Sequence, residues 1–184
     1  MTLAEKATSS HSKPLSIEVS DITVREFEEH DLADVKYLFE KNIDHTSGEI
    51  TSDEFLYEQV AQDIKNKKSI NRRLGIWHEG KLVGYVSLVP SEISFEPDDV
   101  EVAYFVDKDH VGKGIARIAV GAVVKHEDDQ GHNVIATVNP SNHASLNLLK
   151  KLGFHESHID DDSRIVLAKQ ALITNDLAER FGLM

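Results

Sequence analysis

The stretch from Glu101 to Val123 constrains this chain most. Glu101-Val102-Ala103-Tyr104-Phe105-Val106 is β-branched and aromatic and stops at the polar run Asp107-Lys108-Asp109, which is the pattern of a strand. Ile115, Ile118, Ala119, Ala122 and Val123 then fall at i, i+3, i+4, i+7 and i+8, one apolar face of a helix. Between strand and helix lies His110-Val111-Gly112-Lys113-Gly114. A glycine-rich turn that opens a helix leaves backbone N–H groups unpaired at the positive end of the helix dipole, and that arrangement binds phosphate. Gly112 and Gly114 have no Cβ, so the backbone there takes unusual dihedrals and comes close to a ligand.

The spacing excludes the better-known phosphate loops. A Walker loop ends in Gly-Lys-Ser/Thr, whereas Gly112-Lys113 is followed by Gly114. A dinucleotide fingerprint needs Gly-x-Gly-x-x-Gly, but Gly112-x-Gly114 continues into Arg117. Taken alone, the two glycines also fit a strand–helix turn with no ligand.

Further on come Asn142-His143-Ala144-Ser145 and Leu152-Gly153-Phe154. Together with residues 110–116 they resemble the GNAT superfamily of acetyl-CoA-dependent N-acetyltransferases. That family's loop reads Gln/Arg-x-x-Gly-x-Gly/Ala; Gly114 and Ala116 fill its fourth and sixth places, while Val111 stands where Gln or Arg is usual. In detail, Glu101 to Tyr104, Gly112-Lys113-Gly114 and Asn142-x-x-Ser145 are similar to the ribosomal-protein N-acetyltransferase branch. The resemblance covers Asp21 to Lys169.

It implies a GNAT fold, a mixed, mostly antiparallel central sheet with helices on both faces, and acetyl-CoA as co-substrate. It implies that Val111, Gly112, Lys113, Gly114, Ile115 and Ala116 hold the pyrophosphate. The strand through Phe105 and Val106 would line the pantetheine arm, with Asn139 and Asn142 near it. From the residues alone, Asn142 is equally a helix cap. Many members of the family carry a tyrosine that protonates the leaving thiolate; its place is taken by Leu149. Ser145, one turn earlier, matches the serine of the ribosomal-protein branch and is the candidate donor to the sulfur, or else a hydroxyl bonded back to a carbonyl. Glu101 is the candidate base for the acceptor amine, or else an ordinary carboxylate at a strand end.

The rest of the chain fits one domain. Its 184 residues with 40% apolar content suffice for a single core. Residues 1–20 read as a mobile tail without the apolar core of a secretory signal, residues 21–169 as the domain, and 170–184 as an extension ending in a short helix. Asp31 and the pair Thr51/Glu54 read as helix starts, and Glu79-Gly80 as a hairpin turn between Leu74–His78 and Lys81–Val89. Runs at Val134–Val138, Phe154–His158 and Arg164–Lys169 complete an α/β order.

Composition narrows the partners. A net charge of −12 argues against nucleic acid and permits attraction of a cationic amine. No apolar run reaches the ~18 residues of a membrane helix. Without cysteine there is no thiolate zinc site, and the ten histidines show no metal-ligand spacing. The expectation is a cytoplasmic enzyme, monomer or homodimer, acting on an amine-bearing small molecule or peptide. The alternative is a GNAT-fold module that senses acyl-CoA without turnover.

Overall fold

The computed structural model describes residues 14–42, 53–66, 71–91 and 99–171. In chain order the elements are β1 (Ser16–Val19), β2 (Ile22–Glu26), α1 (Leu32–Asn42), α2 (Asp53–Lys65), β3 (Arg72–His78), β4 (Lys81–Pro90), β5 (Val100–Val106), α3 (Ile115–Gln130), β6 (Val134–Val138), α4 (His143–Lys151), β7 (His155–Ile159) and β8 (Ile165–Lys169). The strands form one sheet in the order β1-β2-β3-β4-β5-β6-β8-β7. Every neighbouring pair is antiparallel except β5–β6. The mixed, mostly antiparallel sheet expected from the sequence is the one observed.

Strand alternation sorts the side chains into two cores. On one face, Val24, Leu74, Ile76, Val86, Leu88 and Val102 meet Val120 and Val123 of α3 and Leu149 of α4. On the other, Phe27 and Tyr85 meet Val35, Leu38 and Phe39 of α1 and Val60 of α2. Helices therefore cover both faces, and β4 is buried on both sides through its middle. Leu149, at the place of the family's tyrosine, is fully buried. Leu149→Ala should lower the unfolding free energy by about 2–5 kcal/mol, read from urea denaturation; a loss below 1 kcal/mol would mean the site collapses onto the gap.

Hairpin β3–β4 closes as expected. His78 pairs with Lys81, and the two loop residues Glu79 and Gly80 have φ of 51° and 74°, the dihedrals of a turn whose twist matches its strands.

Two expectations need correction. Residues 16–19 belong to the domain and not to a tail, because β1 pairs with β2 from Ser16↔Arg25 to Val19↔Ile22. The strand is short and half polar, so it reads as tail in sequence; Leu15 and Ile17 nevertheless pack on the core. α1 starts at Leu32, directly after Asp31 as expected, but Asp31 does not cap it: a 3-10 turn over Glu29–Asp31, capped by Glu28, runs straight into it. The Asp31 carboxylate instead accepts two hydrogen bonds from Arg25, at 2.7 and 2.9 Å, and one from the Glu28 N–H at 2.8 Å. The Thr51 cap and the C-terminal helix lie outside the described residues.

Candidate active site

The parallel pair does not run the length of its strands. β5 and β6 are in register only at Val100↔Val134 and Glu101↔Ile135. Beyond Glu101, β5 keeps β4 on one side through Val106, while β6 follows β8 through Val138. The two strands part, and a wedge opens toward the carboxyl end of β5. Among the described residues no strand fills it. The β5 edge from Val102 to Val106 thus offers backbone donors and acceptors to whatever occupies the wedge.

At the mouth of the wedge β5 turns into α3. Gly112 and Gly114 have φ of 82° and 79°, values a residue with a Cβ adopts only at a cost. A Cβ built on either meets nothing within 4 Å, so the backbone conformation, and not crowding inside the protein, demands glycine. Gly114 is the N-cap of α3 and no side chain caps it. The N–H groups at the start of α3 therefore have no side-chain cap, and Lys113 and Arg117 are exposed beside them. A groove of about 520 Å³ leads from Gly114 along α3, lined also by Arg117, Gly121, Lys125 and Leu152. Open amides, a helix dipole and cations together fit a phosphate-bearing ligand.

The turn is tied to α1. Asp107, buried, ends β5; its amide donates to the Val83 carbonyl at 2.8 Å. Its carboxylate accepts from Lys41 Nζ at 2.7 Å and from the Asp109 N–H at 3.4 Å, and His110 Nδ1 lies 3.3 Å away. Asn42, also buried, accepts from the Lys108 N–H at 2.9 Å. Burial pushes the Asp107 carboxyl up, but the Lys41 ammonium and the Asp109 N–H outweigh it and hold the group below the ordinary carboxylate range.

The flank of the wedge brings together two hydroxyls. Tyr104 Oη lies 2.7 Å from Ser145 Oγ, joining β5 to α4. Asn142 caps α4, its side chain accepting from the Ser145 N–H at 3.1 Å. Asn139 accepts from the Ser141 N–H and hydroxyl at 3.0 and 2.7 Å. Both asparagines thus use their side-chain oxygens to build the β6–α4 connection, Asn142 as the helix cap that its sequence equally suggested.

Glu101 and Ser145 do not share a side of the sheet. Tyr104 packs against the core under α3 and α4, and Phe105 against the cluster under α1 and α2. Alternation places Glu101 with Ala103 and Phe105 on the α1/α2 side. Glu101 is half-buried where the wedge closes, and Ala103, in the middle of the central strand, is exposed. Among the described residues this exposure marks an open patch of sheet beside Glu101. A ligand along the β5 edge would have Glu101 on one side and the Tyr104–Ser145 pair on the other. Behind the patch Arg73 pairs with Asp63 and Gln59. Tyr85 is pushed up to about 12, chiefly by burial.

Tyr104 is a functional candidate to which sequence reasoning gave no role. It stood in the Glu101-to-Tyr104 stretch of the resemblance and on the strand face opposite Glu101; which helix it reaches is a tertiary fact.

Comparison with known proteins points the same way. A model of the acetyltransferase (GNAT) domain matches residues 21–155. The probable N-acetyltransferase YjcK of Bacillus subtilis (strain 168) is 37% identical over 83 residues, 44% of this chain and 45% of that protein; the match thus spans less than half of that relative. Among solved structures, the ribosomal-protein-S5-alanine acetyltransferase of Vibrio fischeri superposes with a TM-score of 0.68 at 23% identity, over 85% of this chain and 97% of the other. RimL, a ribosomal L7/L12 α-N-protein acetyltransferase solved with coenzyme A, gives 0.72 at 18%, over 85% and 98%. The acetyltransferase yncA of Salmonella typhimurium, solved with acetyl-CoA and described as putative, gives 0.68 at 20%, over 85% and 97%. At these identities the superpositions speak for the fold.

Proposed function

This chain belongs to the acetyltransferase (GNAT) family, and we propose that it moves the acetyl group of acetyl-CoA onto a primary amine. The observation that carries the reading is the wedge between β5 and β6, with an uncapped glycine turn at its mouth and a hydroxyl pair on its flank.

Acetyl-CoA supplies an activated acyl group; the rest is work for the chain. The N–H groups of the 112–116 turn hold the pyrophosphate, and the free β5 edge receives the pantetheine amides as a further strand would be received. Glu101, from the other side, takes the proton that the amine must lose. The amine nitrogen bonds to the acyl carbon as the carbon–sulfur bond breaks. Ser145, itself accepting from Tyr104, donates to the sulfur as negative charge gathers there.

For the acceptor we favour the α-amino group of a protein N-terminus. Proteins of the same fold are named as acetyltransferases of ribosomal proteins, RimL as an α-N-protein acetyltransferase, and the motifs resemble that branch. A small polyamine is the other cation that the acidity of the chain suits. Thiol release from acetyl-CoA with peptides and polyamines as acceptors decides between them. A non-catalytic sensor draws support from Leu149, which fills the tyrosine's place with a core side chain. It predicts coenzyme A binding and no thiol release with any amine. We place the reaction in the cytoplasm.

Glu101→Gln should lower turnover by about a hundredfold near neutral pH. The deficit should shrink as pH rises toward the acceptor's own pKa, because an amine already neutral needs no base. A pH–rate profile parallel to the parent's would assign proton removal to water.

A further inference from the structure

The geometry points to Lys41 as a positioning residue: its ammonium ties α1 to the turn that carries Gly112 and Gly114, and the affinity for acetyl-CoA depends on that tie. The inference rests on the reading of this turn as the seat of the pyrophosphate.

Lys41 is the next-to-last residue of α1, 66 positions before Asp107. Its Nζ stands 2.7 Å from a carboxylate oxygen of Asp107 and 2.7 Å from one of Asp109. Its side chain is 21% exposed and that of Asp107 7%. The ion pair is thus largely removed from water, where such a bond is stronger than at an open surface. Asn42 adds the bond to the Lys108 N–H. The last two residues of α1 together hold three consecutive residues of the turn, 107 to 109.

Without the ammonium, Asp107 would be a buried carboxylate short of its main cation. Such a group takes up a proton, admits water or swings outward. Each response shifts the residue that caps the 107–110 turn, and so shifts the chain that runs on into Gly112 and Gly114. Charge acts in the same direction. Asp107 and Asp109 lie just before a cradle meant for an anion, and Lys41 offsets them both. A tether that served only stability would stand equally well at either end of the turn. This one fixes the end from which the cradle is hung.

The test uses the full chain and titrates coenzyme A calorimetrically into the parent, Lys41→Met and Lys41→Arg. Lys41→Met should weaken binding about tenfold, the cost of a less preorganised site. Lys41→Arg, whose fork reaches two carboxylates, should stay within about threefold of the parent. A second readout separates positioning from a general loss of structure. With the acceptor found by thiol release, Lys41→Met should lower kcat/KM for acetyl-CoA by about the same tenfold factor. It should leave kcat/KM for acetyl-pantetheine, which has no phosphates, within about twofold. If Lys41→Met is too unstable to assay, Lys41→Gln, shorter but polar and uncharged, carries the same comparison. Unchanged coenzyme A affinity, or an equal loss on both donors, overturns the inference alone. A parent that binds no coenzyme A overturns the reading of the turn, and the inference with it.

Discussion

Ser145→Ala is expected to lower the turnover number about ten- to a thousandfold while the affinity for acetyl-CoA barely moves. A thioester sulfur accepts hydrogen bonds weakly, and the thiolate it becomes accepts them strongly, so the Ser145 hydroxyl acts where charge develops. The structure gives this hydroxyl a partner. Tyr104 Oη is 2.7 Å from it, and in the arrangement that serves the reaction Tyr104 donates to Ser145 and Ser145 to the sulfur. Tyr104→Phe should then cost less than Ser145→Ala, because the donor to sulfur remains and loses only its support. The range for Ser145→Ala is wide because a water in the vacated space would recover part of the effect. The measurement is single-turnover transfer with an acceptor established by thiol release. Equal rates in parent and Ser145→Ala, with chemistry rate-limiting, would leave the pair a structural bridge between β5 and α4.

What was legible in the sequence followed from periodicity and from glycine. The strand–turn–helix from Glu101 to Gln130 is local: alternation, a break and a 3.6-residue stripe all lie in one window. The β3–β4 hairpin is local for the same reason, its register set by two residues of positive φ. β1 escaped because four residues with two polar members carry too little pattern, and only its pairing with β2 reveals it.

The arrangement of the proposed site residues was not legible in the sequence. Glu101 and Ser145 were read as one catalytic set, but they flank β5 from opposite sides. Which parity of β5 meets α4 is decided by Phe105 packing on Phe39 and Tyr85, with ring centroids 5.7 and 5.8 Å away. Nothing near residue 101 says so. The tie from Lys41 to Asp107 spans 66 residues and has no local signature, since a lysine near a helix C-terminus already has a reason to be there. The place where β6 leaves β5 is equally silent in sequence, because each strand satisfies its own pattern whether or not the two stay paired.

Gly114→Glu should weaken the binding of acetyl-CoA about a hundredfold and leave the fold intact. The structure separates the two effects. A Cβ at residue 114 meets nothing within 4 Å, so the new side chain starts in open space, at the uncapped N-terminus of α3. Its carboxylate would then compete for the amides there and repel a bound pyrophosphate. Two unit charges about 5 Å apart at an effective dielectric near 20 repel by about 3 kcal/mol, a factor of roughly a hundred in affinity. The substitution also pays for a left-handed backbone at φ 79°, a cost of about 1–2 kcal/mol borne by the folded state whether or not ligand is present. Gly114→Asn is the control, since asparagine tolerates that conformation and brings no charge. The expected order of affinity in a calorimetric titration is parent, then Gly114→Asn, then Gly114→Glu about a hundredfold below the parent, with melting temperatures of the two variants close together. Full affinity in Gly114→Glu would remove the pyrophosphate from this turn and leave the wedge without its cofactor.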